Sequence, residues 1–129
     1  MSRYLLDTHV LIWAVAAPSR LSRRAARTMR DETNGLLVSA TSAWEIATKC
    51  RLGKLPQAEQ LLDGWDDALR KLKAEPLAIG HAEARRAGLY PIAHRDPFDR
   101  LLAAQAELAD IGLITADTAF SDFPVRTVW

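Results

Sequence analysis

The chain has 129 residues, 49% of them hydrophobic and 26% charged, with a formal net charge of +1. That is one domain's length with ample material for a core, and it excludes wholesale disorder. The single cysteine, Cys50, excludes an internal disulfide and a cysteine zinc cluster. Tyr4-Leu5-Leu6 is cut at once by Asp7, and the apolar run from Val10 to Ala17 stops at Pro18. Both runs are too short for a membrane span or a signal-peptide core, so a soluble, cytoplasmic protein is expected. Of the 17 basic residues, 13 are Arg; genomic composition explains such a bias, and so does a polyanionic partner.

Residues 3–6 read as a short buried strand ending at Asp7. Thr8 to Ala16 reads as a first helix, ended by Pro18. Ser22 is suited to cap a second helix running to about residue 31. After Gly35, Leu36-Leu37-Val38 reads as a strand. Thr41 or Ser42 then caps a third helix, with Ser42 and Glu45 at capping-box spacing, and Gly53 stops it. Leu61, Leu62, Trp65, Leu69 and Leu72 recur at helical spacing and predict one amphipathic helix over 57–73. Leu77 to Ile79 is a strand fragment, and His81 to Ala87 a short helix closed by Gly88. Asp96 and Pro97 open the best-formed helix, 97–109. Leu113-Ile114-Thr115 is a strand, a helical turn follows Asp117, and Val125 to Val128 is a last strand. Short strands alternating with helices predict an α/β fold with a parallel, helix-covered sheet, in a single domain over 1–129.

Five acids fall at the ends of these elements. Asp7 follows the first strand and Asp117 the Leu113–Thr115 strand, and carboxyl ends of strands line the crevice of an open α/β sheet. Glu45, Asp96 and Asp99 lie in the first turns of helices, where negative charge is favoured. Carboxylates crowded in one pocket raise one another's pKa, and a divalent cation removes the cost. Oxygen donors suit Mg²⁺, with Mn²⁺ able to substitute. Such an ion coordinates phosphate oxygens and lowers the pKa of water, which points to phosphodiester hydrolysis. In this scheme Asp7 and Asp99 bind the principal metal, and Asp117 binds directly or through water. Glu45 orients or deprotonates the attacking water, while Thr8 and Thr115 hydrogen-bond a carboxylate or a water. Each acid has a plainer alternative: Asp7, Asp96 and Asp117 as caps, Asp99 as a first-turn acid, Glu45 as half of a capping box.

Other side chains are read more simply. Cys50 is a small buried apolar group, and His9 a satisfied structural histidine. His81 and His94 lack zinc-type spacing. Lys49 forms an i,i+4 surface pair with Glu45. Arg100 pairs with an acid elsewhere, with phosphate contact as the alternative. Trp13, Trp44, Trp65 and Trp129 pack in the structure, unless a ring lies exposed beside the acids, where it would stack on unpaired bases. Arg20, Arg23, Arg24, Arg27 and Arg30 form a solvated helix face or one wall of an RNA groove.

Four motifs in order carry a resemblance. Leu5-Leu6-Asp7-Thr8-His9-Val10-Leu11-Ile12-Trp13, Ser39-Ala40-Thr41-Ser42-Ala43-Trp44-Glu45-Ile46-Ala47-Thr48-Lys49, the segment from His94 to Ala106 containing Asp96-Pro97-Phe98-Asp99-Arg100, and Leu113-Ile114-Thr115-Ala116-Asp117 together resemble the PIN-domain family, and within it the VapC-type toxins. The likeness covers essentially the whole chain, with 56–91 the least specific part. It implies a PIN-like α/β/α sandwich with a central, mostly parallel sheet and an acidic site of Asp7, Glu45, Asp99 and Asp117, with Asp96 as a supporting residue. It further implies a Mg²⁺-dependent endoribonuclease, a homodimer, and a small cognate antitoxin that occludes the site and carries the complex to promoter DNA. Two rival functions use the same residues. One is another metal-dependent nuclease or phosphatase outside a toxin–antitoxin system. The other is a non-enzymatic interaction module in which the acids only cap helices.

Overall fold

A computed structural model describes residues 2–129. Its strands are β1 (Arg3–Leu6), β2 (Gly35–Ser39), β3 (Ala74–Leu77), β4 (Gly112–Ile114) and β5 (Thr127–Val128). Its helices are α1 (Thr8–Ala16), α2 (Arg23–Arg30), α3 (Ala40–Arg51), α4 (Glu59–Asp63), α5 (Trp65–Leu72), α6 (His81–Leu89) and α7 (Pro97–Ala109). The sheet order is β3-β2-β1-β4-β5 and every pairing is parallel, so the expected mostly parallel sheet is wholly parallel among the described residues.

Side chains alternate across this sheet, as strand geometry requires. Leu6, Leu36, Val38 and Ile114 enter a core shared with Val10, Leu11, Ile46, Leu61 and Leu69 from α1 and α3–α5. Leu5, Leu37 and Leu113 face the other way, onto Leu102, Ala103, Ala106, Phe120 and Phe123. Helices therefore cover both faces, giving the expected α/β/α sandwich. Gly112 allows a close approach between β1 and β4. A Cβ there would stand 2.8 Å from a ring carbon of Tyr4 on the neighbouring strand.

Winding decides where a site can form. From β1 the chain steps outward to β2 and β3, then crosses back to β4 on the other side of β1. The β1/β4 boundary is thus the point where the winding reverses, and the crevice of such a sheet opens beyond the carboxyl ends there. The register pairs Leu6 with Ile114, so the residues just after the two strands, Asp7 and Thr115, meet at that point.

Helices α1 and α7 keep the bounds their caps and prolines predict, and Ser22 caps α2 by accepting from Ala25 N at 3.0 Å. The single helix expected over 57–73 does not form. A 3-10 turn, Pro56–Ala58, precedes α4, and Gly64 separates α4 from α5. Glycine is a poor helix residue, while Leu61 and Leu69 on either side still reach the same core. The strand fragment expected at 77–79 lies earlier, as β3, and its Pro76 is tolerated because β3 is an edge strand. The last strand shrinks to Thr127–Val128, because Pro124 and a turn closed by Val125 N on Phe123 O occupy its expected start. No described helix is long and apolar enough to cross a membrane.

Candidate metal centre

Asp7 sits at the winding reversal and N-caps α1. Its Oδ1 accepts from Thr8 N at 2.7 Å, and its Oδ2 accepts from Thr115 Oγ1 at 2.7 Å. The side chain is only 4% exposed. Burial pushes its pKa up and the charge of Glu45 adds to this, against the lowering effect of Thr115, His9 and Thr8. No salt bridge reaches this carboxylate among the described residues.

Glu45, 3% exposed, arrives on α3. The helix is capped by Ser39, whose Oγ accepts from Thr41 N at 2.8 Å, and not by Thr41 or Ser42 as expected. Ser42 Oγ instead shares a 2.9 Å hydrogen bond with Thr8 Oγ1, which docks the first turn of α3 on that of α1. Glu45 consequently has no capping role. Its Oε2 accepts from Lys49 Nζ at 2.5 Å, so the expected i,i+4 pair exists, but its acid is buried rather than on the surface. Burial disfavours the Lys49 ammonium, yet Glu45, Asp96 and Asp99 together hold its pKa above the usual lysine range.

Asp96 N-caps α7 through Oδ1, accepting from Phe98 N at 2.9 Å and more loosely from Asp99 N at 3.5 Å. Asp99, one turn in, is largely buried, and its Oδ2 accepts from His94 Nε2 at 2.8 Å. Burial pushes the Asp99 carboxyl up to about 6; His94 opposes the shift, while Asp96 and Asp7 reinforce it. Asp117 is exposed and N-caps the 3-10 turn Thr118–Asp122, accepting from Ala119 N at 2.9 Å. Its own N–H donates to Thr115 Oγ1 at 3.0 Å. The Thr115 hydroxyl therefore links Asp117 to Asp7.

Asp7 thus lies within electrostatic reach of both Glu45 and Asp99, and the Asp117 backbone N–H is tied to it through Thr115. The expected crowding goes no further. Among the described residues no three His, Cys, Asp or Glu side chains stand close enough to share one ion. Each of the other three carboxylates has a partner on one oxygen: Glu45 Oε2 accepts from Lys49, Asp99 Oδ2 from His94 and Asp117 Oδ1 from Ala119 N. The donor set nonetheless suits a hard cation. It offers carboxylate oxygens, and Asp7 is buried without a salt bridge among the described residues.

Several other residues depart from their expected roles. Arg100 pairs with no acid among the described residues; its guanidinium is taken up by backbone carbonyls. His9 is exposed, and its ring stands 5.9 Å from that of Trp13. Cys50 is half-buried and its thiol donates to Leu55 O at 3.3 Å, so it is not purely an apolar filler. Trp44, beside Glu45, is 52% exposed and rests edge-on against Phe98, beside Asp99, with ring centroids 4.6 Å apart. It meets the condition set for an exposed ring near the acids. The arginines from Arg20 to Arg30 are all exposed, as a solvated face requires.

Gln105 was not singled out from the sequence. It is 2% exposed; its Oε1 accepts from Ser39 Oγ at 2.5 Å and its Nε2 donates to Ala78 O at 3.3 Å, tying α7 to the start of α3. A lone amide among the alanines and leucines of a buried helix face was the available signal.

A family model described as PIN domain matches residues 4–125. The chain belongs to the PIN-domain family. This PIN domain is also 39% identical over 95 residues to "Ribonuclease VapC16" of Mycobacterium tuberculosis (strain ATCC 25618 / H37Rv), covering 62% of the chain and 67% of the relative. Solved structures share its fold at low identity. VapBC2 from Rickettsia felis, bound to a DNA fragment from its promoter, matches with a TM-score of 0.66 and 16% identity over 98% of this PIN domain and 97% of that chain. A toxin–antitoxin complex from Klebsiella pneumoniae matches with a TM-score of 0.62 and 19% identity, covering 98% and 96%.

Proposed function

We propose that this chain is a magnesium-dependent endoribonuclease that acts as the toxin of a type II toxin–antitoxin module. The observation that carries the reading is Asp7, a buried carboxylate locked by Thr8 and Thr115 at the winding reversal, with Glu45 and Asp99 in electrostatic reach and no salt bridge to it among the described residues. The likeness to a ribonuclease supports RNA as the substrate.

Magnesium, with manganese able to substitute, would supply charge neutralisation at the phosphate and a more acidic water. Asp7 and Asp99 would hold the ion, with Asp117 at the rim through its link to Thr115. Thr8 and Thr115 fix Asp7, and Asp96 fixes the start of the helix that carries Asp99. Glu45 orients the attacking water and takes its proton; Lys49 occupies Oε2 and leaves Oε1 for that water. Trp44, braced by Phe98, offers an aromatic face to an unpaired base.

The toxin–antitoxin complexes among the structural neighbours support a small antitoxin as partner, and the promoter fragment in one of them supports DNA binding by the complex. A homodimer would cover exposed Leu89 and Leu108 on α6 and α7. The site of action is the cytoplasm. Cleavage mapping on total RNA tests the reading, comparing the native chain with Asp7→Asn in Mg²⁺ and in chelator. Mg²⁺-dependent cuts by the native chain alone are expected. Cuts that survive chelation, or that the variant makes equally well, would overturn it.

A further inference from the structure

Arg100 follows Asp99 directly in the first turn of α7, yet its side chain turns away from the acids and into the segment between α6 and α7. A guanidinium has five N–H donors, and all five are used there. Nε donates to Ala87 O at 2.8 Å. Nη1 donates to Ile92 O and His94 O, both at 2.9 Å. Nη2 donates to Tyr90 O at 2.8 Å and more weakly to Gly88 O at 3.4 Å.

Ala87 and Gly88 lie in the last turn of α6, where carbonyls lack intrahelical partners. The strap that follows has no regular structure, and residues 91–95 make no backbone–backbone hydrogen bond among the described residues. Arg100 takes the place of those missing bonds. Near its end, His94 is held twice by adjacent residues of α7: its carbonyl by Arg100, its ring by Asp99. Its ring also stands edge-on to Phe123, centroids 5.7 Å apart.

We propose that Arg100 is a positioning residue for the acid site: by fixing the carbonyl of His94 it sets where the imidazole meets Asp99, and so where the Asp99 carboxylate points. The inference rests on the reading of Asp7 and Asp99 as a cation-binding pair. Lysine cannot take over, because its three donors on a flexible stem do not reproduce a planar five-donor fork. A merely structural Arg100 would change stability and leave cation affinity alone.

The test measures Mn²⁺ affinity of the full chain by calorimetry for wild type, Arg100→Lys, His94→Ala and the double variant, with hydrogen exchange in chelator alongside. Arg100→Lys should weaken Mn²⁺ binding about tenfold, as loss of a group supporting a ligand does. The double variant should bind no worse than His94→Ala, because the two residues act in series. Exchange should quicken over residues 88–95 and stay slow in β1 and β4. Wild-type affinity in a folded Arg100→Lys, or effects that add in the double variant, would overturn the proposal. His94→Ala keeps every Arg100 bond, since those bonds go to backbone, and it stays informative if Arg100→Lys does not fold: unchanged affinity overturns the proposal, and a tenfold loss supports its step from His94 to Asp99. A wild-type chain that binds no Mn²⁺ fails one step earlier and removes the proposed function itself.

Discussion

Thr115 and Asp7 lie 108 residues apart, yet the Thr115 hydroxyl donates to Asp7 Oδ2 at 2.7 Å across the β1–β4 pair. Thr115→Val removes that donor at nearly constant shape. A buried carboxylate oxygen loses its partner and the Asp7 pKa rises further. Mn²⁺ affinity should fall about tenfold, while Thr115→Ser, which keeps the hydroxyl, stays near wild type. Calorimetry checks both, and equal affinity in Thr115→Val would detach this hydroxyl from the site.

Asp7→Asn should cut RNA cleavage in Mg²⁺ by at least about a thousandfold, the scale of several kcal/mol of lost metal-assisted stabilisation. It should not unfold the chain. Burial already penalises the charge on Asp7, so a neutral amide is no harder to bury. Gel assays and urea denaturation in chelator measure the two effects. Cleavage within tenfold of the native rate would take Asp7 out of the reaction.

Asp99 makes a pH prediction for the metal-free chain. Its folded pKa, pushed up to about 6, lies above the ordinary value of 3.8. The folded state therefore holds this proton more tightly than the unfolded chain does. The resulting stability is fully present below about pH 4 and is lost as pH rises through about 6. Asp99→Asn keeps an acceptor for His94 but has no charge to bury. In chelator at about pH 7.5 it should exceed wild type in stability by on the order of 2 kcal/mol, with the gain fading toward about pH 4. Urea melts across that range check it; parallel pH profiles would contradict it.

Trp44→Ala should weaken binding of single-stranded RNA by about tenfold, in line with about 1–3 kcal/mol per stacked base, and Trp44→Phe should retain most of it. Fluorescence anisotropy in chelator reads this without cleavage. Sedimentation of the same variant separates the alternatives: loss of a dimer with unchanged RNA affinity would assign the ring to a subunit contact.

Where a feature was legible in the sequence, its cause lay within a few residues. The bounds of α1 and α7 follow from Asp7, Asp96 and Pro97, whose effects act on N–H groups in the adjoining turn. Ser42 shows the limit. Its spacing to Glu45 satisfies a capping box, but a partner on α1, Thr8, claims its hydroxyl, and Ser39 takes over the cap. Gly64 likewise splits a helix that the apolar spacing alone would continue.

The amino-acid order by itself determined the acids, the strands and helices that carry them, and the family, because motif spacing and hydrophobic period are local properties. Lys49 on Glu45 follows from helical spacing, but only the tertiary structure decided who answers the other charges. His94 on Asp99, Thr115 on Asp7 and the strap carbonyls on Arg100 are fixed by the reversal of winding between β1 and β4 and by how α7 packs beside it. Burial sets the energy of those pairings, and no separation along the chain encodes burial.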